Sequence, residues 1–322
     1  MWYAKIYFSE GREIFQYDSL GMQGVPDVQR ELPFLESLLS FQELDCAEVT
    51  PLLQCIAEDW SRFIAEDDRG ALESAMKKLG ELASVHIYFQ LLYVHCYYRQ
   101  TAMFIQNDRG SAEDAQMLDE LRQLPEQLPR YQQQIQRFFE LVLDVDSAGR
   151  APQAQAARNY TYDMPKDPGL FCFHPIPLSF EPVEPGQCSP VLYSSSIRDM
   201  IDYSLRSCVE RNITVRCCKN CGRWFPQTGR VSAEYCERPV PKGQQRCRDI
   251  GALKQWTLRQ AGNDAFKAYR KEYKRRFAWI KAGRITNQQF YDWSERARAE
   301  KDKCEQDLIS QKELETWLKE SK

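Results

Sequence analysis

The sequence predicts a mainly α protein: an N-terminal β-hairpin and a helical bundle, then a small cysteine finger and C-terminal helices. Three observations predict it. Apolar residues recur every three or four positions along most of the 322-residue chain, the spacing of one helix face. Strand-like alternation is clearest over residues 1–18. Five of the twelve cysteines crowd between Cys217 and Cys247. An apolar content of 43 % suffices for a core. No apolar run approaches the length of a membrane span, so none is expected.

The elements follow in order. Residues 1–18 read as a hairpin turning at "SEGRE". The same stretch lacks the basic start and long apolar run of a signal peptide, so a cytoplasmic setting is expected. "TPLLQCIAEDWSRFIAED" predicts a helix with Thr50 as N-cap and Pro51 at its first position. "RGALESAMKKLGELA" continues in the same style. "SVHIYFQLLYVHCYYRQTAMFIQ" is apolar on most faces and reads as the central buried helix. Ser111 and Asp114 stand in capping-box register at the next start. "QQQIQRFFELVLDV" closes the bundle. Eight prolines between residues 148 and 192 read as an irregular connector or a few short extended segments. "SSSIRDMIDYSLRSCVERN" resumes the helix, with Ile197, Ile201, Leu205 and Cys208 on one face.

After residue 262, Phe266, Tyr269, Tyr273, Phe277 and Ile280 mark an apolar helix face, with Lys267, Lys271, Lys274 and Lys281 along another. Thr286 with Gln289, and Ser310 with Glu313, signal two more helix starts. The expected organisation is 1–150, hairpin plus acidic helical domain; 151–192, Pro-rich connector; 193–262, helix and four-cysteine zinc finger; 263–322, a basic then mixed-charge helical tail.

Cys218-x2-Cys221 is followed by fourteen residues and Cys236, then ten residues and Cys247. A Cys-x2-Cys turn places two thiolates on one side of a knuckle. Two later cysteines complete a tetrahedron with Zn–S distances of about 2.3 Å. Gly222 stands where such a knuckle needs an unusual backbone angle. "RWFPQTGRVSAEY" reads as a hairpin returning the chain to Cys236, and Cys247 opens a helix. That is the layout of a treble-clef-like finger. Four cysteine ligands, Cys218, Cys221, Cys236 and Cys247, leave no open position on one zinc ion, so the metal is expected to be structural. Cys217 is the competing first ligand. Strand alternation and the tighter spacing favour Cys218.

The stretch "RCCKNCGRWF…EYCERP…CRDIG" resembles the zinc finger of an uncharacterised family of bacterial proteins. It is similar, more loosely, to the CGNR-type zinc finger, whose proteins are regarded as transcriptional regulators. That resemblance covers residues 213 to about 256 and implies DNA binding, with the same four cysteines as ligands. It departs after Cys247, where Arg248, Asp249 and Ile250 replace Gly-Asn-Arg.

Charge is unevenly spread. Residues 205–284 carry 20 Lys and Arg against 6 Asp and Glu, a net of +14; the rest of the chain carries −17. A basic block of this kind expects an anionic partner. The candidate nucleic-acid contacts are Arg223, Arg230, Arg246, Arg248, Lys254, Lys267, Lys271 and Lys274. Duplex DNA is the favoured partner, through counterion release. Trp224 and Phe225 either stack on bases or pack the hairpin over the metal; the packing role is preferred. The alternative is a protein-interaction adaptor whose basic finger docks on an acidic partner or on its own acidic domain. An enzyme is less favoured. The chain has three histidines, and two of them, His86 and His95, lie in its most apolar helix, where satisfied core positions are expected. There is no glycine-rich phosphate loop and no hydrolase motif.

Overall fold

The computed structural model describes residues 4–19, 27–106, 109–144, 146, 149–163, 169–230, 232–240 and 245–321. Expectations that rested on residues 20–26, Pro165, Pro168 and Lys242 lie outside these. The chain divides into two compact units. One comprises Met1–Cys217 and Arg223–Ala233, the other Cys218–Gly222 and Glu234–Lys322. Helix dominates, with eleven α-helices among the described residues. None of them is long and apolar enough to cross a membrane.

The first unit opens with Ala4–Ser9 (β1) and Arg12–Tyr17 (β2). They are joined through Glu10 and Gly11, both at positive φ (46° and 74°). Two left-handed residues give a turn whose twist matches that of the strands. Val28–Pro33 (β3) pairs on β2. Five helices follow: Glu36–Gln42 (α1), Cys46–Glu66 (α2), Arg69–Val85 (α3), Ile87–Gln106 (α4) and Ala112–Phe138 (α5). The last ends in a π-helical turn, Phe139–Leu143. Pro152–Arg158 (α6), Leu178–Glu184 (β4), Gln187–Leu192 (β5) and Ile197–Glu210 (α7) come next.

The proline-rich stretch thus supplies two strands of the main sheet. β5 pairs antiparallel with β1, giving the order β3-β2-β1-β5-β4. Alternation along β1 sends Ile6 and Phe8 into the large core, with Phe15 of β2. Tyr7 and Ile14 pack with Val191 in a small cluster of their own. That is the period-2 partition expected of a strand with two covered faces.

One helix start differs from expectation. α2 begins at Cys46, capped by Asp45, whose carboxylate accepts from the Ala47 N–H at 2.9 Å. Pro51 therefore lies inside the helix rather than at its first position. An aspartate able to accept a first-turn N–H outcompetes the threonine downstream. The Ser111–Asp114 capping box is present as expected. α4 buries Ile87, Tyr88, Phe89, Leu91, Val94 and Cys96, but Phe104 and Ile105 at its far end are exposed.

The second unit ends in four helices: Cys247–Ala261 (α8), Asp264–Lys281 (α9), Asn287–Glu305 (α10) and Gln311–Glu320 (α11). Both expected capping boxes stand at the starts of α10 and α11. Ala265, Phe290, Trp293, Ala297, Leu314 and Leu318 form their core. The inward face of α9 carries an unexpected member. Arg276 is buried, stacks over Trp293 at 4.4 Å, pairs with Glu272 at 3.2 Å and donates to the Leu318 carbonyl at 3.2 Å. Phe277, expected on that face, is 48 % exposed. The rotation follows from Arg276, whose planar head satisfies carboxylate, carbonyl and ring at once.

Candidate metal centre and basic surface

The knuckle is built by a short hairpin. Val215–Cys217 (β6) pairs antiparallel with Trp224–Pro226 (β7), and Cys218–Arg223 is the turn between them. The expected hairpin over 223–235 is therefore displaced: the Cys-x2-Cys segment is itself the turn. Its geometry needs Gly222, which takes φ 73° and donates its N–H to the Cys218 carbonyl at 2.8 Å. The chain between Cys236 and Cys247 is closed by a Pro239–Arg246 bridge, and Cys247 is the first residue of α8.

This brings four sulfurs together. The Sγ atoms of Cys218, Cys221, Cys236 and Cys247 all lie within 4.8 Å of one another. Cys221 and Cys236 are 3.7 Å apart, close to the edge of about 3.8 Å that a tetrahedron with 2.3 Å metal–sulfur bonds requires. Cys218, Cys236 and Cys247 are buried. The cluster can hold a metal ion. Cys217 is exposed and is not a member of this group.

The surroundings suit thiolates. The Cys236 N–H points at Cys218 Sγ at 3.4 Å, and Asn220 Nδ2 at Cys247 Sγ at 3.2 Å. Such donors orient sulfur ligands and steady their charge. Burial opposes ionisation of Cys218, but N–H groups of Cys236, Cys221 and Asn220 outweigh it and bring its pKa down to about 7. Cys236 is pushed upward, by burial first and then by the neighbouring sulfurs. Thiolates this close repel one another, and a divalent cation at their centre removes the repulsion.

A glycine lets α8 reach the cluster. A Cβ at Gly251 would lie 2.2 Å from the Tyr235 ring. Glycine therefore allows the helix carrying Cys247 to pass against the residue preceding Cys236. Sequence reasoning missed this position, because nothing local marks it.

The candidate cations separate. Arg223 and Arg230 belong to the first unit, the other six to the second. All eight are exposed. Arg223 pairs with Glu43 at 3.2 Å. Arg246 and Arg248 both reach Glu237, the former at 3.2 Å. Lys267 pairs with Asp264 at 2.9 Å. Arg230, Lys254, Lys271 and Lys274 make no ion pair among the described residues. Lys267, Lys271 and Lys274 line a groove of about 500 Å³ between α8 and α9, together with Arg270, Trp256 and Phe266, which sequence reasoning did not assign to a site. Trp224 packs against the core of the first unit. Its ring meets Phe139 at 5.7 Å and its Nε1 donates to Gln136 at 2.9 Å.

The histidines also divide. His86 is a satisfied core residue: Nε2 lies 3.0 Å from the Ser37 carbonyl and Nδ1 accepts from the Tyr88 N–H. His95 instead lines a cavity of about 640 Å³ in the first unit, with Glu120, Tyr131, His174 and Asp199. His174 is clamped there between Asp199 (2.7 Å) and the fully buried Asp202 (3.1 Å), which also accepts from Arg206. Asp199, Asp202 and Arg206 share one face of α7, a spacing visible in the sequence, but their partner lies 25 residues or more upstream.

Residues 189–321 match a family described as "Family of unknown function (DUF6076)". The matched stretch runs from β5 through α11 and contains all four cysteines. No curated protein matches the chain. No solved structure matches it.

Proposed function

We propose that the chain is a zinc-dependent nucleic-acid-binding protein, with one structural zinc on Cys218, Cys221, Cys236 and Cys247. Zinc suits four sulfur donors at tetrahedral spacing, and four thiolates leave it no catalytic position. The ion holds the knuckle and the start of α8 together. It thereby presents the basic helices α8 and α9.

The observation that carries the reading is the row of exposed cations on those helices. Lys254, Lys271 and Lys274 have no carboxylate partner among the described residues, so their charge is available to an anion. Phosphates reward such an arrangement through counterion release, whatever the base sequence. Duplex DNA is the partner the sequence favours, and the CGNR-type resemblance suggests transcriptional regulation as its use. A cytoplasmic setting accompanies the reading, because reducing conditions keep thiols available as ligands.

A specific observation favours a second reading, an adaptor. Several finger cations are already engaged by the chain's own carboxylates: Arg216 by Asp146 at 2.8 Å, Arg223 by Glu43, and Arg246 and Arg248 by Glu237. One titration separates the two. A labelled random duplex is titrated with the zinc-loaded full chain at about 50 and about 200 mM salt. Binding that falls steeply with salt and is lost in Cys221→Ser supports the first reading. Absence of duplex binding at the lower salt overturns the duplex-DNA reading, and absence of single-strand binding as well leaves the adaptor.

A further inference from the structure

Trp256 sits in an unusual place. It is 44 % exposed on α8, whereas large aromatic side chains are ordinarily well covered. Its ring is nevertheless fixed, meeting Phe266 of α9 edge to face at 5.4 Å and 88°. An exposed ring held in one orientation is a platform.

Cations surround it. Lys267, Lys271 and Lys274 recur at i, i+4 and i+7 along α9, a stripe of roughly 10 Å at 1.5 Å per residue. Arg270 lies over the Phe266 ring at 5.9 Å. All four border the same groove as Trp256. Flat aromatic surface beside a row of positive charge matches a base beside its phosphate.

We infer that this groove binds single-stranded nucleic acid, with bases stacking on Trp256 and phosphates tracking the α9 cations. The inference rests on the nucleic-acid reading above and sharpens it. In a duplex both faces of each base are already stacked, so a duplex reaches the lysines and leaves Trp256 idle. An unpaired strand engages both. Base stacking on aromatic side chains is sequence-tolerant, and basic grooves of this kind serve single-strand binders. The competing occupant is an acidic amphipathic peptide, which would add Leu253, exposed one helical turn before Trp256.

The test compares three labelled probes on the zinc-loaded full chain by fluorescence anisotropy. They are oligothymidylate and oligouridylate of about 12 nucleotides, within single-strand site sizes, and a duplex of equal length. An unlabelled acidic peptide of matched charge serves as competitor. The single strands are expected to bind more tightly than the duplex. Trp256→Ala should weaken single-strand binding about ten-fold or more and leave duplex binding unchanged. Trp256→Phe should restore most of it, which a folding defect would not. Lys271→Gln with Lys274→Gln should lower the salt slope by about 1.4 for the single strands and about 1.8 for the duplex. Equal single-strand and duplex binding, indifferent to Trp256→Ala, overturns the inference and leaves the nucleic-acid reading standing. Binding of no oligonucleotide overturns both. Full displacement of oligothymidylate by the peptide, lost in Trp256→Ala, assigns the groove to an acidic protein instead. The ratio of thymidylate to uridylate affinity tells DNA from RNA.

Discussion

Glu13 is a carboxyl in a costly place. It lies on β2, almost wholly buried, with Oε2 accepting from the Ser37 N–H at 2.9 Å. Burial raises its pKa to about 7, from an ordinary 4.5. Between those values the folded chain keeps a proton that the unfolded chain releases, so stability falls as pH rises through the window. His86, close by, has its pKa lowered to about 4 by burial and acts in the opposite sense as pH falls. Glu13→Gln removes only the first contribution. Its stability relative to the parent should improve by up to about 3 kcal/mol from pH 4.5 to pH 7. Urea denaturation at both ends checks it; a constant difference would mean that the fold does not raise the Glu13 pKa.

α8 depends on one absent side chain. Gly251 permits the helix to lie against Tyr235, so Gly251→Ala must push either the ring or the helix. The ring contact involves its near atoms, which cannot swing clear cheaply, and overpacking of this kind costs about 1–3 kcal/mol. Because α8 carries Cys247, the strain should appear as weaker zinc retention in competition with a chromophoric chelator. Unchanged retention would show that Tyr235 rotates away and is no part of the support. Local signals announced other elements well. Ser111–Asp114, Thr286–Gln289 and Ser310–Glu313 are capping boxes where the spacing said, because a cap is a bond between residues three apart. Thr50 failed as a start because Asp45, five residues earlier, caps the helix first.

At the scale of the whole chain, the cysteine cluster and the apolar cores are separate. The first unit has its own extensive apolar core. α9 to α11 share another. Trp224 packs against the first of these cores, but the described residues from Glu234 to the start of α8 belong to neither, so the proposed zinc would order them, as in small zinc domains where about 10–16 kcal/mol comes from the ion. Chelation at neutral pH should therefore release about one equivalent of zinc and open residues 234–250 to protease, while the helices of the first unit keep their circular dichroism. Cooperative loss of all helix on chelation would refute this division.

The sequence by itself determined the four cysteines, the helical character, the capping boxes and the charged block. Each is a matter of residue type and short spacing, and local chemistry suffices to read it. Only the tertiary structure decided that β5 of the proline-rich stretch pairs with β1, that His174 lies between Asp199 and Asp202, and that Trp256 faces a stripe of lysines. Those pairings join residues far apart in the chain or on separate helices. Burial and packing select them from many alternatives of equal local merit, and no short-range signal ranks those alternatives.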